Sequence, residues 1–167
     1  MKIGRLLIAC AFMGSLSACG FAPLYKETAQ SQRAHQSLAS IEIMPKKDRT
    51  HQLMRNKLLY LMGENRAPLY QLNISPVVEK LGFGIRQDAS ASQERLTLTV
   101  DYSLVDLSSL EKKVKILSGQ LSRSTSYQLV QSDYATLVRR EDSIERLAEK
   151  IAEDLHLKLL LHFKQGE

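Results

Sequence analysis

The sequence has no tryptophan, and both of its cysteines, Cys10 and Cys19, fall within the first nineteen residues. Aromatic residues make up only 6% of it, so any core has to be built from aliphatic side chains. No apolar run reaches the roughly 20 residues that a membrane-spanning helix needs. The four histidines, His35, His51, His156 and His162, include no pair at a metal-ligand spacing such as H-x-x-x-H. Serine is plentiful, but none sits in a G-x-S-x-G elbow. "GFGIRQ" at 82–87 lacks the third glycine of a dinucleotide fingerprint and does not open a helix, so it reads as a turn. Asp101 and Asp106 flank a strand without a partner that would complete a hydrolytic carboxylate pair. The sequence thus offers no metal site, no cofactor site and no catalytic constellation, and an enzyme is disfavoured.

What is present starts at the N-terminus. Lys2 and Arg5 form a short cationic region, and Leu6 to Ser15 is an apolar run of signal-peptide length. It ends in "LSAC", Leu16 to Cys19, which resembles a bacterial lipobox. In signals of that kind the cysteine thiol carries diacylglycerol, the chain is cut before it, and the new amine is acylated. The plainer alternative is an ordinary signal peptide with an incidental cysteine. The earlier "LIAC" at Cys10 comes too soon for a full apolar region. Lipidation is therefore assigned to Cys19, which leaves no free thiol for a disulfide. Several acyl chains anchor firmly where one binds only marginally. Residue 20 is glycine, not the aspartate that retains lipoproteins in the inner membrane. The expected place is the outer membrane, on its periplasmic side.

Removing residues 1–18 takes away Lys2 and Arg5 and no acid, so the formal charge falls from +5 to +3. That is too weak and too dispersed for a nucleic-acid partner. Residues 19–37 are mostly polar and read as a lipidated tether, and 38–167 as a single domain. Phe21, Leu24 and Tyr25 stand out in the tether as contacts for bilayer, domain or partner.

"LASIEIMP" predicts a short strand ended by Pro45. "DRTHQLMRNKLLYLMG" predicts a helix capped by Asp48 or Thr50 and closed by Gly63, with Met54, Leu58, Leu61 and Met62 on one face. "LYQLNIS" is a strand that Pro76 marks as edge or bulge. "GFGIRQDASASQE" reads as a turn-rich linker. "RLTLTVDYSLVD" is the clearest strand, with Leu96, Leu98, Val100, Tyr102 and Leu104 inward. "LSSLEKK" connects it to a Ser/Thr-rich strand, "VKILSGQLSRSTSYQLV". A last helix begins at Asp142 or Ser143, with Ile144, Leu147, Ala148, Ile151, Ala152, Leu155 and Leu159 in a stripe. The order βαβββα predicts an α+β two-layer sandwich: two amphipathic helices on one face of a four-stranded, mostly antiparallel sheet, the other face open.

Basic residues fall where the open face and its loops should be: Arg86, Arg95, Lys112, Lys113, Lys115 and Arg123. Phosphate pairing is one reading of them. The plainer one is that charged side chains on an exposed strand suppress edge pairing.

"CGFAPLY" at the lipobox, "RLTLTVDYSLVD", "GQLSRSTSYQLV" and "YATLVRREDSIERLAEKIAEDLHLKL" together resemble the LptE family of lipopolysaccharide-assembly lipoproteins, in its alphaproteobacterial form. The resemblance covers nearly the whole chain after Cys19. It implies a non-catalytic protein that plugs an LptD-type outer-membrane β-barrel, helps that barrel fold and binds lipopolysaccharide. It implies basic contacts to lipopolysaccharide, for which position and charge nominate Lys113, Lys115 and Arg123. A scaffold subunit of another envelope lipid-transport machine, or a periplasmic hydrolase, are the alternatives.

Overall fold

A computed structural model describes residues 29–63, 67–85, 91–108 and 114–165. The signal segment, Cys19, the first part of the tether, Arg86, Lys112 and Lys113 lie outside the described residues. Seven elements follow in order: α1 (Ala29–Ala39), β1 (Ile41–Ile43), α2 (Arg49–Met62), β2 (Tyr70–Ile85), β3 (Ala91–Asp106), β4 (Val114–Gln128) and α3 (Asp133–Gln165).

The sheet order is β1-β2-β3-β4. β1 runs parallel to β2, as a strand returning after a helical crossover does. β2, β3 and β4 are antiparallel neighbours. Alternation makes the long strands two-faced. Leu96, Leu98, Val100, Tyr102 and Leu104 of β3 are buried together with Leu72 and Ile74 of β2. Against them lie Met54 and Leu58 of α2 and Leu147, Ala148, Ile151, Ala152, Leu155 and Leu159 of α3. Each fully buried Leu or Ile stabilises by about 1.5–3 kcal/mol, which makes this aliphatic layer the main source of cohesion.

α2 starts where Asp48 accepts the His51 N–H at 2.7 Å. It stops at Gly63, whose φ of 86° is costly for any residue with a Cβ. Arg49 reaches Glu141 (3.4 Å) and Lys57 reaches Glu153 (3.1 Å), so α2 and α3 run side by side in one direction.

Three differences from the sequence expectation have physical causes. Residues 29–37 of the expected tether, together with Leu38 and Ala39 of the expected first strand, form a helix, α1, packed mainly on α3. Its buried residues are Ser31, Ala34 and Leu38, at helical spacing but mostly small, so the stripe hardly registers as hydrophobic. The expected turn-rich linker is largely strand: β2 runs on to Ile85 and β3 begins at Ala91. Gly84 sits at φ 72°, and a Cβ there would lie 2.4 Å from Ser92 Oγ, so the glycine serves close strand approach. α3 begins at Asp133, well before Asp142. Ser132 caps it, its Oγ accepting the Ala135 N–H at 3.3 Å, and Ser143 is buried inside the helix.

Candidate functional site

The sheet face away from the helices carries the odd-numbered side chains of β2 and β3 and, across from them, the even-numbered ones of β4. Its middle reads Gln71, Asn73 and Ser75 on β2, Thr97, Thr99, Asp101 and Ser103 on β3, and Ser118, Gln120, Ser122 and Ser124 on β4. These groups are nearly all uncharged donors and acceptors. They bond to one another across strands: Gln120 Nε2 donates to Asp101 Oδ1 at 2.9 Å, and the Thr99 and Ser122 hydroxyls meet at 3.1 Å. A shallow depression of about 530 Å³ lies among Asn73, Ser75, Asp101, Ser103, Lys115 and Gln120. At the far end of the same face the surface turns apolar. Val77 and Leu81 are 54% and 63% exposed, and the Arg95 guanidinium lies 5.3 Å from the Phe83 ring centre.

Gly119 stands opposite Tyr102 on the helix side. A Cβ there would lie 2.7 Å from the Tyr102 hydroxyl, so the tyrosine ring occupies the space that the glycine leaves.

The basic residues nominated from sequence do not share a face. Lys115 faces Val105 and belongs to the open face, where it lines the same depression as Asp101. Arg123 is eight residues further on, so simple alternation would put it on the same side. A bulge intervenes: Leu104 faces Leu117 but Val105 faces Lys115, and the extra residue flips the parity. Arg123 therefore lies on the helix side, where its Nε and Nη2 grip Asp154 of α3 at 2.5 and 2.8 Å. Lys113 and Cys19 lie outside the described residues. Among the described residues no group of three or more His, Asp or Glu is placed to hold a metal.

A second polar cluster was not legible in the sequence. Glu94 of β3 accepts from the Tyr127 hydroxyl of β4, from Arg140 Nε (3.1 Å) and from Arg140 Nη2 (3.3 Å) of α3. Arg140 Nε also donates to the Tyr127 hydroxyl at 2.9 Å. Burial works against ionising Glu94, but the Tyr127 and Arg140 hydrogen bonds outweigh it and hold the carboxyl below its usual range. The partners are 33 and 46 residues from Glu94. This cluster fastens the first turns of α3 to the sheet.

The fold and its polar face accord with a specific family. The model of LptE, lipopolysaccharide-assembly, matches residues 38–159. The chain belongs to the LptE family. An uncharacterized protein of Rickettsia prowazekii (strain Madrid E) is 25% identical over 158 residues, spanning 95% of each chain. Among solved structures, a Caulobacter crescentus CB15 protein described as a lipoprotein superposes with a TM-score of 0.65 at 21% identity, covering 80% of this chain and 97% of that one. Rare lipoprotein B of Shewanella oneidensis superposes at 0.57 with 11% identity, over 76% and 96%. These likenesses establish the α+β lipoprotein fold. Family membership makes the protein a non-enzymatic lipopolysaccharide-assembly lipoprotein of the cell envelope.

Proposed function

We propose that the protein, acylated at Cys19 and held on the periplasmic side of the outer membrane, occupies the lumen of an LptD-type β-barrel and assists lipopolysaccharide assembly there. The observation that carries this reading is the open sheet face. A broad surface of hydroxyls and amides, with few net charges, suits the polar interior of a large membrane barrel. Such groups donate and accept in turn and take bridging water, so they are cheap to cover with another polar wall. A face destined for a dry protein core would be aliphatic, as the helix side is.

Lipopolysaccharide contact falls to Lys115, on that face, and to Lys113, two residues before it in the chain, with phosphates as their counterpart. Arg123 joins them only by releasing Asp154. The test is purification of the tagged protein from detergent-solubilised outer membranes. A stoichiometric barrel of the LptD type supports the plug. Some other envelope complex in its place would overturn it and favour a scaffold role.

A further inference from the structure

β2 is sixteen residues long, but β1 pairs with only its first three, Tyr70, Gln71 and Leu72. From Asn73 onward β2 is an edge. The direction of its backbone groups is settled by two hydrogen bonds. Leu69 C=O accepts from Leu107 N–H, on the β3 side, and Tyr70 N–H, the first of the strand, donates to Ser40 C=O, on the β1 side, an acceptor that it shares with the Leu69 N–H just before the strand. Odd-numbered residues therefore bond to β3, and even-numbered ones turn their N–H and C=O outward. Ile74 C=O follows this rule and accepts from Lys46 Nζ at 2.9 Å, and that side chain also reaches Ser75 Oγ. Pro76 is next in the outward row, so its missing N–H takes nothing from the ladder. The edge is thus guarded at residues 74 and 76. Beyond them, at Val78, Lys80 and Gly82, no strand among the described residues pairs with the outward side.

Apolar side chains stand on both faces along this unguarded stretch, with Glu79 among them on the open side and Lys80 on the helix side. Val77, Leu81 and Phe83 line the open side. On the helix side a groove of about 380 Å³ runs between the strand, the start of α2 and α3, where Val78, Leu137 and Ile144 sit among Asp48, Lys80 and Glu141. Leu137 is 48% exposed. The other edge, β4, is flanked by Ser, Thr and Gln, and only Val114 at its start is a large exposed apolar residue. An unpaired backbone row with apolar contacts above and below it is what an added strand requires.

We infer that the edge of β2 at residues 77–83 is a strand-addition site, filled by an extended loop segment of the barrel partner with apolar side chains at alternate positions. The inference rests on the plug reading above. A closed barrel pairs all of its own wall strands, so only a segment outside the wall has backbone groups to spare. The added segment continues the row that β1 begins and covers Leu137 on one side and Leu81 on the other.

Amide deuterium exchange, resolved to single residues, tests this on the free lipidated protein and on the complex isolated with its barrel. In the free protein the Val78, Lys80 and Gly82 amides exchange fast, while those of Val77 and Glu79 are already protected. In the complex the three outward amides slow by about tenfold or more, as formation of a stable ladder demands. Lys80→Pro removes an outward N–H and spares the β3 ladder, and Lys80→Ala removes only the side chain. With both variants melting as folded proteins, Lys80→Pro recovers about tenfold less barrel than Lys80→Ala, from the lost hydrogen bond and the clash of the ring with an incoming strand. Unchanged exchange in the complex, or equal recovery by the two variants, overturns the inference while leaving the plug intact. Protection that grows with concentration in the free protein makes a second copy the occupant and also overturns it. Failure of wild-type protein to bring down a barrel removes both readings.

Discussion

The Glu94–Tyr127–Arg140 cluster makes a sharp energetic prediction. Glu94 and Arg140 side chains are 14% and 26% exposed, so solvent screens the pair only in part. Glu94 accepts three donors, two of them from a guanidinium. A hydrogen bond to a charged group contributes about 1.5–3 kcal/mol. Breaking a fully buried pair costs about 3–5 kcal/mol, whereas exposed pairs contribute about 0–1. The quarter-exposed Arg140 can rehydrate once freed, so Glu94→Gln is expected to cost about 2 kcal/mol. In a double-mutant cycle with Arg140→Met, the coupling energy is expected at about 1.5 kcal/mol. Urea unfolding measures both. Because Glu94 is held below the ordinary value of 4.5, its contribution is fully present above that pH and is lost as pH falls through its folded-state value. The Gln variant removes that part of the acid sensitivity. Deuterium exchange should show the loss locally, at the start of α3. A coupling energy under about 0.5 kcal/mol would refute the view that this cluster fastens the helix.

Further outcomes follow from the same geometry. Gly119→Val drives side-chain atoms into the Tyr102 ring and should destabilise by about 1–3 kcal/mol in thermal melts, with relief in Gly119→Val/Tyr102→Leu. His156 carries a buried Nε2 without a hydrogen-bond partner among the described residues, and burial, then the nearby His35, hold it below 6.5. A base lowered in this way is neutral in both states above 6.5, and it opposes the fold as pH falls below that value, where only the unfolded chain readily takes up the proton. His156→Leu should therefore flatten the fall of stability below pH 6.5, read by denaturation at several pH values. Lys115→Glu should lower lipopolysaccharide capture without changing the melting temperature, because Lys115 makes no ion pair in the structure's described residues. Asp154→Asn should raise capture by freeing Arg123; no change in capture would confine Arg123 to its ion pair.

Much of this architecture was legible because it is local. Alternation over Leu96 to Leu104 names the buried face of β3 without reference to any other element. Asp48 and Gly63 bound α2 through chemistry that acts within a few residues. Pro76 marked an edge because proline lacks a donor wherever it stands. The α3 stripe from Leu147 to Leu159 was plain for the same reason. Where signals were small or non-local, the reading fell short. α1 buries mostly small residues, and the first turns of α3 expose Tyr134, Leu137 and Val138, so neither shows a strong one-sided pattern. Arg123 was grouped with Lys115 because one extra residue in a ladder leaves no mark in composition.

The sequence by itself determined α2, the middle of β3, the stripe of α3 from Leu147 to Leu159, the polar character of the open face and the lipobox-like cysteine. Each depends on residues close together in the chain. Only the tertiary structure decided which cations share a surface, that Arg123 is engaged by Asp154, that Glu94 clasps Tyr127 and Arg140, and that β1 stops after three residues of β2. Those outcomes depend on register and on pairs dozens of residues apart. Nothing in a local pattern selects among the partners that a distant side chain could meet; the packed sheet and helices do.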